Sequence, residues 1–236
     1  MILWFKLILA HLLGDFLFQP DSWVEAKEKD KLRSWQLYTH TVIHFLLIMV
    51  LVPNLAFWKY ALLLSFIHLA IDVSKLFIQS VMNKSYFFVD QIIHIVIITL
   101  IWISYENISV SSIVKDQNFF IVKITFIYSI TKPASMLISS FISRWTPEDK
   151  NDVSDSLTRA GNWIGILERL FVFVFVVAGR WEAVGFLLTA KSVFRFGDLK
   201  DKKDRKLTEY VLIGTLLSFG ISILAGIMFN KIKILI

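Results

Sequence analysis

The sequence predicts an all-α, polytopic transmembrane helical bundle of about seven to eight spans. Three observations predict it. The 236-residue chain is 56% hydrophobic and 19% charged, where a soluble domain is about 45–50% apolar and about 25% charged. Its mean hydropathy is +0.64. Its apolar residues fall in runs matched to a bilayer, which asks for about 20 mostly apolar residues per span. Short loops join the runs, so no separate soluble domain is expected.

The elements follow in order. Span 1 is expected at 2–19 and ends at Pro20, with a charged amphipathic stretch over 21–35 behind it. The start, Met1-Ile2-Leu3-Trp4-Phe5-Lys6, has no basic n-region or small-residue cleavage site, so it reads as a retained span rather than a signal peptide. Span 2 is expected at 36–52, before Pro53, span 3 at 56–81 and span 4 at 87–105. A polar loop with Glu106, Asn107, Lys115 and Asp116 follows. Span 5 is expected at 118–143, interrupted at Lys132-Pro133, then a polar loop at 144–160 and span 6 at 163–179. A shorter apolar piece at 182–195 crosses or re-enters, and a charged run from Asp198 to Lys206 precedes a last span at 208–230. Residues 1–117 form a four-span N-terminal bundle, and 118–236 add the C-terminal spans of the same membrane domain.

Basic residues set the orientation. Lys27, Lys29, Lys31 and Arg33 follow span 1; Arg144, Lys150 and Arg159 follow span 5; Lys200, Lys202, Lys203, Arg205 and Lys206 precede the last span. Other loops carry one basic residue each: Lys59, Lys84, Lys115 and Arg180. Eight crossings put the three basic loops on one side, which the positive-inside rule makes the cytoplasm, with the N-terminus outside. Lys231 and Lys233 are left outside by this scheme. The net charge of +6 then reflects topology and contacts with anionic lipid rather than nucleic acid. The absence of cysteine excludes disulfides, thiolate ligands and a cysteine nucleophile.

All five histidines lie in the first four spans. Four spacings are i, i+4: His11 with Asp15, His40 with His44, His68 with Asp72, and Asp90 with His94. Residues four apart share one helix face a turn apart, so each pair presents two side chains to one point. The topology, assigned from basic loops alone, puts all four pairs in the cytoplasmic half of the bilayer. Imidazole and carboxylate are ligands of zinc, iron and manganese, and helical bundles build dinuclear sites from such pairs on facing helices. A divalent metal is therefore expected here, zinc first, with iron or manganese as alternatives. Two other readings stand beside it: a polar packing or proton-relay network, or pairs that do not converge. Gln19 continues the Asp15 face and Gln91 adjoins Asp90, as substrate-binding groups or as orienting partners. Lys75, three after Asp72, either pairs with it or snorkels to the interface.

The second half carries Glu168 and Arg169 inside span 6, and Lys191 and Arg195 one turn apart in the next segment. Ion pairs such as Glu168 with Lys191 or Arg195 are the structural expectation. Arg169, Lys191 and Arg195 are also the candidates to hold a phosphate or headgroup. No P-loop, dinucleotide fingerprint, serine-nucleophile elbow or aromatic-basic pattern is present.

His11-Leu12-Leu13-Gly14-Asp15-Phe16-Leu17-Phe18-Gln19, His68-Leu69-Ala70-Ile71-Asp72 and Asp90-Gln91-Ile92-Ile93-His94 resemble an uncharacterised bacterial membrane family, domain-of-unknown-function family 3307. Gly165-Ile166-Leu167-Glu168-Arg169 and the segment from Gly185 to Ser192 look like its longer members. The resemblance implies a bacterial inner-membrane location and no activity. The functional expectation rests on spacing: a membrane-embedded, metal-dependent hydrolase at the cytoplasmic leaflet. A metal-held water is its nucleophile, Asp15 or Asp90 its general base, and a phospholipid or isoprenoid phosphate its substrate. The alternatives are a cation or proton transporter using the same groups, and a non-catalytic scaffold or partner subunit.

Overall fold

The computed structural model describes residues 1–82, 86–106, 119–143, 155–195 and 202–235, and these contain helices and no strand. The helices are α1 (Ile2–Phe16), α2 (Asp21–Asp30), α3 (Trp35–Leu51), α4 (Trp58–Met82), α5 (Phe87–Glu106), α6 (Phe119–Ser129), α7 (Lys132–Ile142), α8 (Asp155–Val177), α9 (Trp181–Arg195) and α10 (Lys202–Leu235). Lys84, Asn107, Lys115, Asp116, Arg144, Lys150 and Lys200 lie outside the described residues. So do the side chains of Glu106, Arg159, Arg195 and 202–208.

The fold is all-α and membrane-integral. Five segments are long and apolar enough to cross a bilayer: Leu55–Gln79, Phe87–Tyr105, Phe119–Ile142, Ala160–Val177 and Glu209–Ile234. α3, with 17 residues, is apolar but shorter. α1 has 15 residues and is bent by 77° from the polar stretch that follows it. Among the described residues, five helical segments thus meet the length of a span, or six if α1 and the stretch after it count as one, roughly in line with the expected seven to eight. α9 has 15 residues, about 22 Å at 1.5 Å per residue. That is short of the hydrocarbon thickness of about 30 Å, so the piece expected at 182–195 does not reach across by itself. Two ends also differ from expectation. α1 stops at Phe16, not Gln19, and α8 begins at Asp155, well before 163.

The chain divides into two compact units, Met1–Thr125 and Phe126–Leu235. In the first, α1 packs on α3, α3 on α4, α4 on α5, and α5 back on α1, which closes a four-helix ring. α3 shows the logic of an inside-out bundle. Leu37, His40, His44 and Ile48 form its buried stripe, while Tyr38, Val42, Leu46 and Val50 face outward. α5 repeats it, with Asp90, His94, Ile98 and Ile101 inside and Val89, Ile92, Val96 and Leu100 outside. Apolar residues thus face the lipid, and the polar groups face one another, as ionisable side chains at membrane depth require.

In the second unit α8 packs on α10, α9 and α7, and α7 also packs on α10. Val172, Val176, Val184 and Phe219 form its core. A Cβ at Gly226 would lie 2.7 Å from Val176 Cγ1, so the close α8–α10 approach needs glycine there.

Candidate metal centre

The order of residues within each pair follows from the antiparallel ring. Chain direction alternates along α1, α3, α4 and α5. In α1 and α4 histidine precedes aspartate, as His11…Asp15 and His68…Asp72; in α5 the order inverts, as Asp90…His94. Inversion of both direction and order puts the carboxylates at one level and the imidazoles at the next. α3 supplies His40 at the carboxylate level and His44 at the imidazole level.

The eight residues do come together. His44 Nε2 lies 3.0 Å from Asp15 Oδ1, and His40 Nε2 and His68 Nε2 lie 3.4 and 3.5 Å from the same oxygen. His40 Nε2 is 3.1 Å from His68 Nε2 and 3.2 Å from His44 Nε2. Five of the six separations among these four atoms, which come from three helices and mark the corners of a tetrahedron, lie between 3.0 and 3.5 Å. Ligands around a tetrahedral ion with bonds of about 2.0–2.1 Å sit about 3.3–3.4 Å apart. The five separations bracket that value.

Hydrogen bonding alone does not satisfy this cluster. A neutral imidazole has one N–H and one lone pair on opposite ring nitrogens. His40 Nε2 faces two other Nε2 atoms and a carboxylate oxygen at once, while its Nδ1 is buried with no partner. One proton can serve only one of those contacts. A cation at the centre serves all of them. His40, His44 and His68 are each at most 5% exposed, so water does not fill the deficit.

Gly14 is what lets α3 come this close. A Cβ there would overlap the His44 ring. The glycine beside Asp15 is thus a space left for an imidazole, and no larger residue keeps His44 on Asp15.

The neighbours orient the cluster. Gln91 Nε2 donates to Asp15 Oδ2 at 3.1 Å and to Asp90 Oδ2 at 3.4 Å. Since carboxylates only accept, this fixes the amide orientation, and Gln91 Oε1 then accepts from His11 Nε2 at 3.2 Å. Gln91 is therefore an orienting partner for Asp15 and His11, and a ligand nitrogen of His11 also lies within 4.8 Å of ligand atoms of Asp15, His44 and His68. Gln19 lies past the end of α1 and no longer shares the His11–Asp15 face.

Two lysines complete the site. Lys27 Nζ is 2.9 Å from Asp72 Oδ2, and Lys75 Nζ is 2.8 Å from Asp90 Oδ2. Lys27 is the one buried residue of the otherwise exposed α2. The sequence reading placed it among topology-setting charges; its signal was position, since at α2's polar periodicity nothing marks one lysine as inward. Lys75 pairs with Asp90 rather than with Asp72 of its own helix. Beyond the imidazoles lies a cavity of about 20 Å³, lined by His11, His44, His68 and His94 and by aliphatic groups such as Leu7, Ile48, Leu64 and Ile98. It has room for about one water.

The Glu168–Arg169 cluster belongs to the second unit and has other duties. Lys191 Nζ pairs with Glu168 Oε2 at 2.5 Å. Arg169 is buried and donates to Ile130 O, Thr131 O, Ser135 Oγ and Ser218 Oγ. Pro133 interrupts the helix between α6 and α7, and in a bilayer the freed carbonyls need donors. The guanidinium of Arg169 supplies one to Ile130 O and adds another to Thr131 O, which also accepts from Ser135 N, so an arginine in a span has a structural duty here. These groups border a cavity of about 240 Å³ together with Asn162 and Tyr210.

Neither a curated protein nor a solved structure matches the chain. A family model described as a protein of unknown function (DUF3307) matches residues 3–127, just over half of the chain and all eight residues of the cluster. The chain belongs to that family.

Proposed function

We propose that the protein is a membrane-embedded, metal-dependent hydrolase of the bacterial cytoplasmic membrane, with its N-terminus outside and its site in the cytoplasmic leaflet. The observation that carries the metal is the tetrahedron of Asp15 Oδ1, His40 Nε2, His44 Nε2 and His68 Nε2, whose edges fit an ion such as zinc. Iron and manganese accept the same ligands. The basic residues after spans 1 and 5, Lys27, Lys29, Lys31 and Arg33 with Arg144, Lys150 and Arg159, carry the orientation; with α9 not crossing, the basic run at 200–206 falls on the opposite side.

Charge supports the hydrolytic reading. The cluster holds three carboxylates, Asp15, Asp72 and Asp90, against two ammoniums, Lys27 and Lys75. A divalent ion turns this one-charge deficit into a one-charge excess. One hydroxide, or one singly charged phosphodiester, restores neutrality, which burial in a bilayer favours. A bound divalent ion acidifies water and polarises a phosphoryl group. This chain's residues do the rest. Asp72, 3.8 and 3.9 Å from the His40 and His68 ligand nitrogens, stands beside the tetrahedron and takes the water's proton. Lys27 and Lys75 face the developing negative charge. The water oxygen bonds to phosphorus, the bond to the leaving oxygen breaks, and that oxygen receives a proton. Substrates are anionic lipids such as a phospholipid or an isoprenoid phosphate. Arg169 and Lys191 are engaged inside their own unit, so the anionic group is assigned to the metal and the two lysines.

Transport of a cation or proton through the same groups is the second reading. The wall beyond the imidazoles is aliphatic, with Leu7, Ile48, Leu64, Ile67, Ile97 and Ile98, apart from Ser65, whose hydroxyl donates to Ala61 O, which favours an enzyme. The test is phosphate or diester hydrolysis by purified protein in lipid, with zinc or manganese and with chelator. Metal-dependent turnover lost in His68→Ala and Asp72→Asn is expected. Metal bound at the site with no hydrolysis of any anionic lipid, but with ion flux in sealed vesicles, overturns the enzyme in favour of the transporter.

A further inference from the structure

Two buried polar atoms beside the tetrahedron have no partner: Asp90 Oδ1 and His94 Nε2. Asp90 and His94 are 4% and 3% exposed. His94 Nδ1 lies 2.9 Å from the main-chain oxygen of Asp90. A carbonyl oxygen only accepts, so Nδ1 carries the proton and Nε2 presents a bare lone pair. Histidines that bind metal are held this way, with the second nitrogen donating to a carbonyl. Asp72, Asp90 and His94 each bring a ligand atom within 4.8 Å of the others, and His94 Nδ1 lies 3.7 Å from Asp90 Oδ1.

Positive charge is already drawn to this place, since Lys27 holds Asp72 and Lys75 holds Asp90. Asp72 also links it to the tetrahedron. Its Oδ2 is 3.8 Å from His40 Nε2, and its Oδ1 is 3.9 Å from His68 Nε2. Coordination number supplies the motive. Four protein ligands close the first ion's sphere, whereas catalytic ions keep a position open. Three protein ligands leave one.

We infer that Asp72, Asp90 and His94 hold a second divalent cation beside the first, and that its open position is where water or an anionic substrate binds. This rests on the proposed metal centre and deepens it. Ligand pairs on facing helices build dinuclear centres of this kind, and ions about 3.5–4 Å apart clamp the attacking and leaving oxygens of a displacement. With the second ion bound, Asp72 serves as its ligand rather than as a proton acceptor. Lys75, whose side chain is 30% exposed, swings toward the interface as the second ion takes Asp90, because a lysine stem snorkels readily. The second ion competes with an ammonium and so binds more weakly than the first.

The experiment is a metal count. Chelator-washed protein in lipid nanodiscs is dialysed against excess Mn²⁺ and analysed for bound metal. About two ions per chain are expected, falling to about one in Asp90→Asn/His94→Gln. Lys75→Met, which removes the competing cation, tightens the second ion roughly tenfold or more. A wild-type count near one overturns the second site and leaves the first standing. A count near zero overturns the underlying centre. Spin resonance of the Mn²⁺-loaded wild type guards against a misfolded variant: a coupled pair is expected, and the signal of isolated ions overturns the inference.

Discussion

Asp15→Asn separates a metal centre from a hydrogen-bonded knot, because asparagine keeps the shape and removes the charge at the point where three imidazoles converge. A four-ligand site that binds zinc with about 10–16 kcal/mol averages about 3–4 kcal/mol per ligand. Loss of one ligand therefore weakens binding by roughly 100–1000-fold, at about 1.4 kcal/mol per tenfold. At a free metal concentration about 100 times the wild-type Kd, metal stabilises the wild type by about 2.7 kcal/mol. The variant, with a Kd at least about 100-fold higher, keeps at most about 0.4 kcal/mol of that. For a chain of this size the difference is about 5–9 °C in Tm. The assay is thermal unfolding in lipid with and without metal, alongside a competition titration against a chelator. Chelator-treated samples give the cost of the altered hydrogen bonds alone, about 1.5–3 kcal/mol for contacts to a charged group. Equal metal-dependent shifts in both proteins would refute Asp15 as a ligand.

Three further outcomes follow from other parts of the molecule. Gly14→Ala drives a methyl group into the His44 ring; about 1–3 kcal/mol of stability and most metal affinity are lost, whereas Ala10→Gly on the same helix leaves affinity unchanged by the same titration. Arg169→Ala removes the donors to Ile130 O and Thr131 O and destabilises the protein by about 3 kcal/mol or more, read by thermal unfolding; metal binding by the first unit persists. The chain has no native cysteine, so Ser22→Cys on exposed α2 reports topology by labelling in intact cells and in inverted vesicles. Reaction with an impermeant thiol reagent from the cytoplasmic face alone is expected; labelling from outside reverses the orientation.

The sequence was informative where one period governs. The first five apolar runs match helical segments to within three residues at each end, because the bilayer demands a fixed length, whereas α8 and α10 extend well beyond the expected 163–179 and 208–230. The i, i+4 spacings marked all four polar pairs, since residues four apart share one helix face a turn apart. Even the inverted Asp90…His94 order is readable as the mark of an antiparallel neighbour. What stayed hidden depends on contacts between distant segments. Lys27 looks like its neighbours Lys29 and Lys31 until α2 folds back and sets it on Asp72. Gln91 and His11 are far apart in sequence and meet only when α1 and α5 pack. The duty of Arg169 requires knowing that the carbonyls freed near Pro133 lie across from it. The end of α1 at Phe16, which removes Gln19 from the cluster, is set by a local turn that hydropathy does not register.

The central claim is that Asp15, His40, His44 and His68 hold a cation. Elemental analysis of protein purified in lipid without chelator tests it most directly, with a His44→Ala/His68→Ala protein purified in parallel. At least about one equivalent of zinc, iron or manganese per chain, reduced to trace in the variant, is the predicted result. Trace metal in the wild type after incubation with each ion, together with unchanged thermal stability, would contradict it.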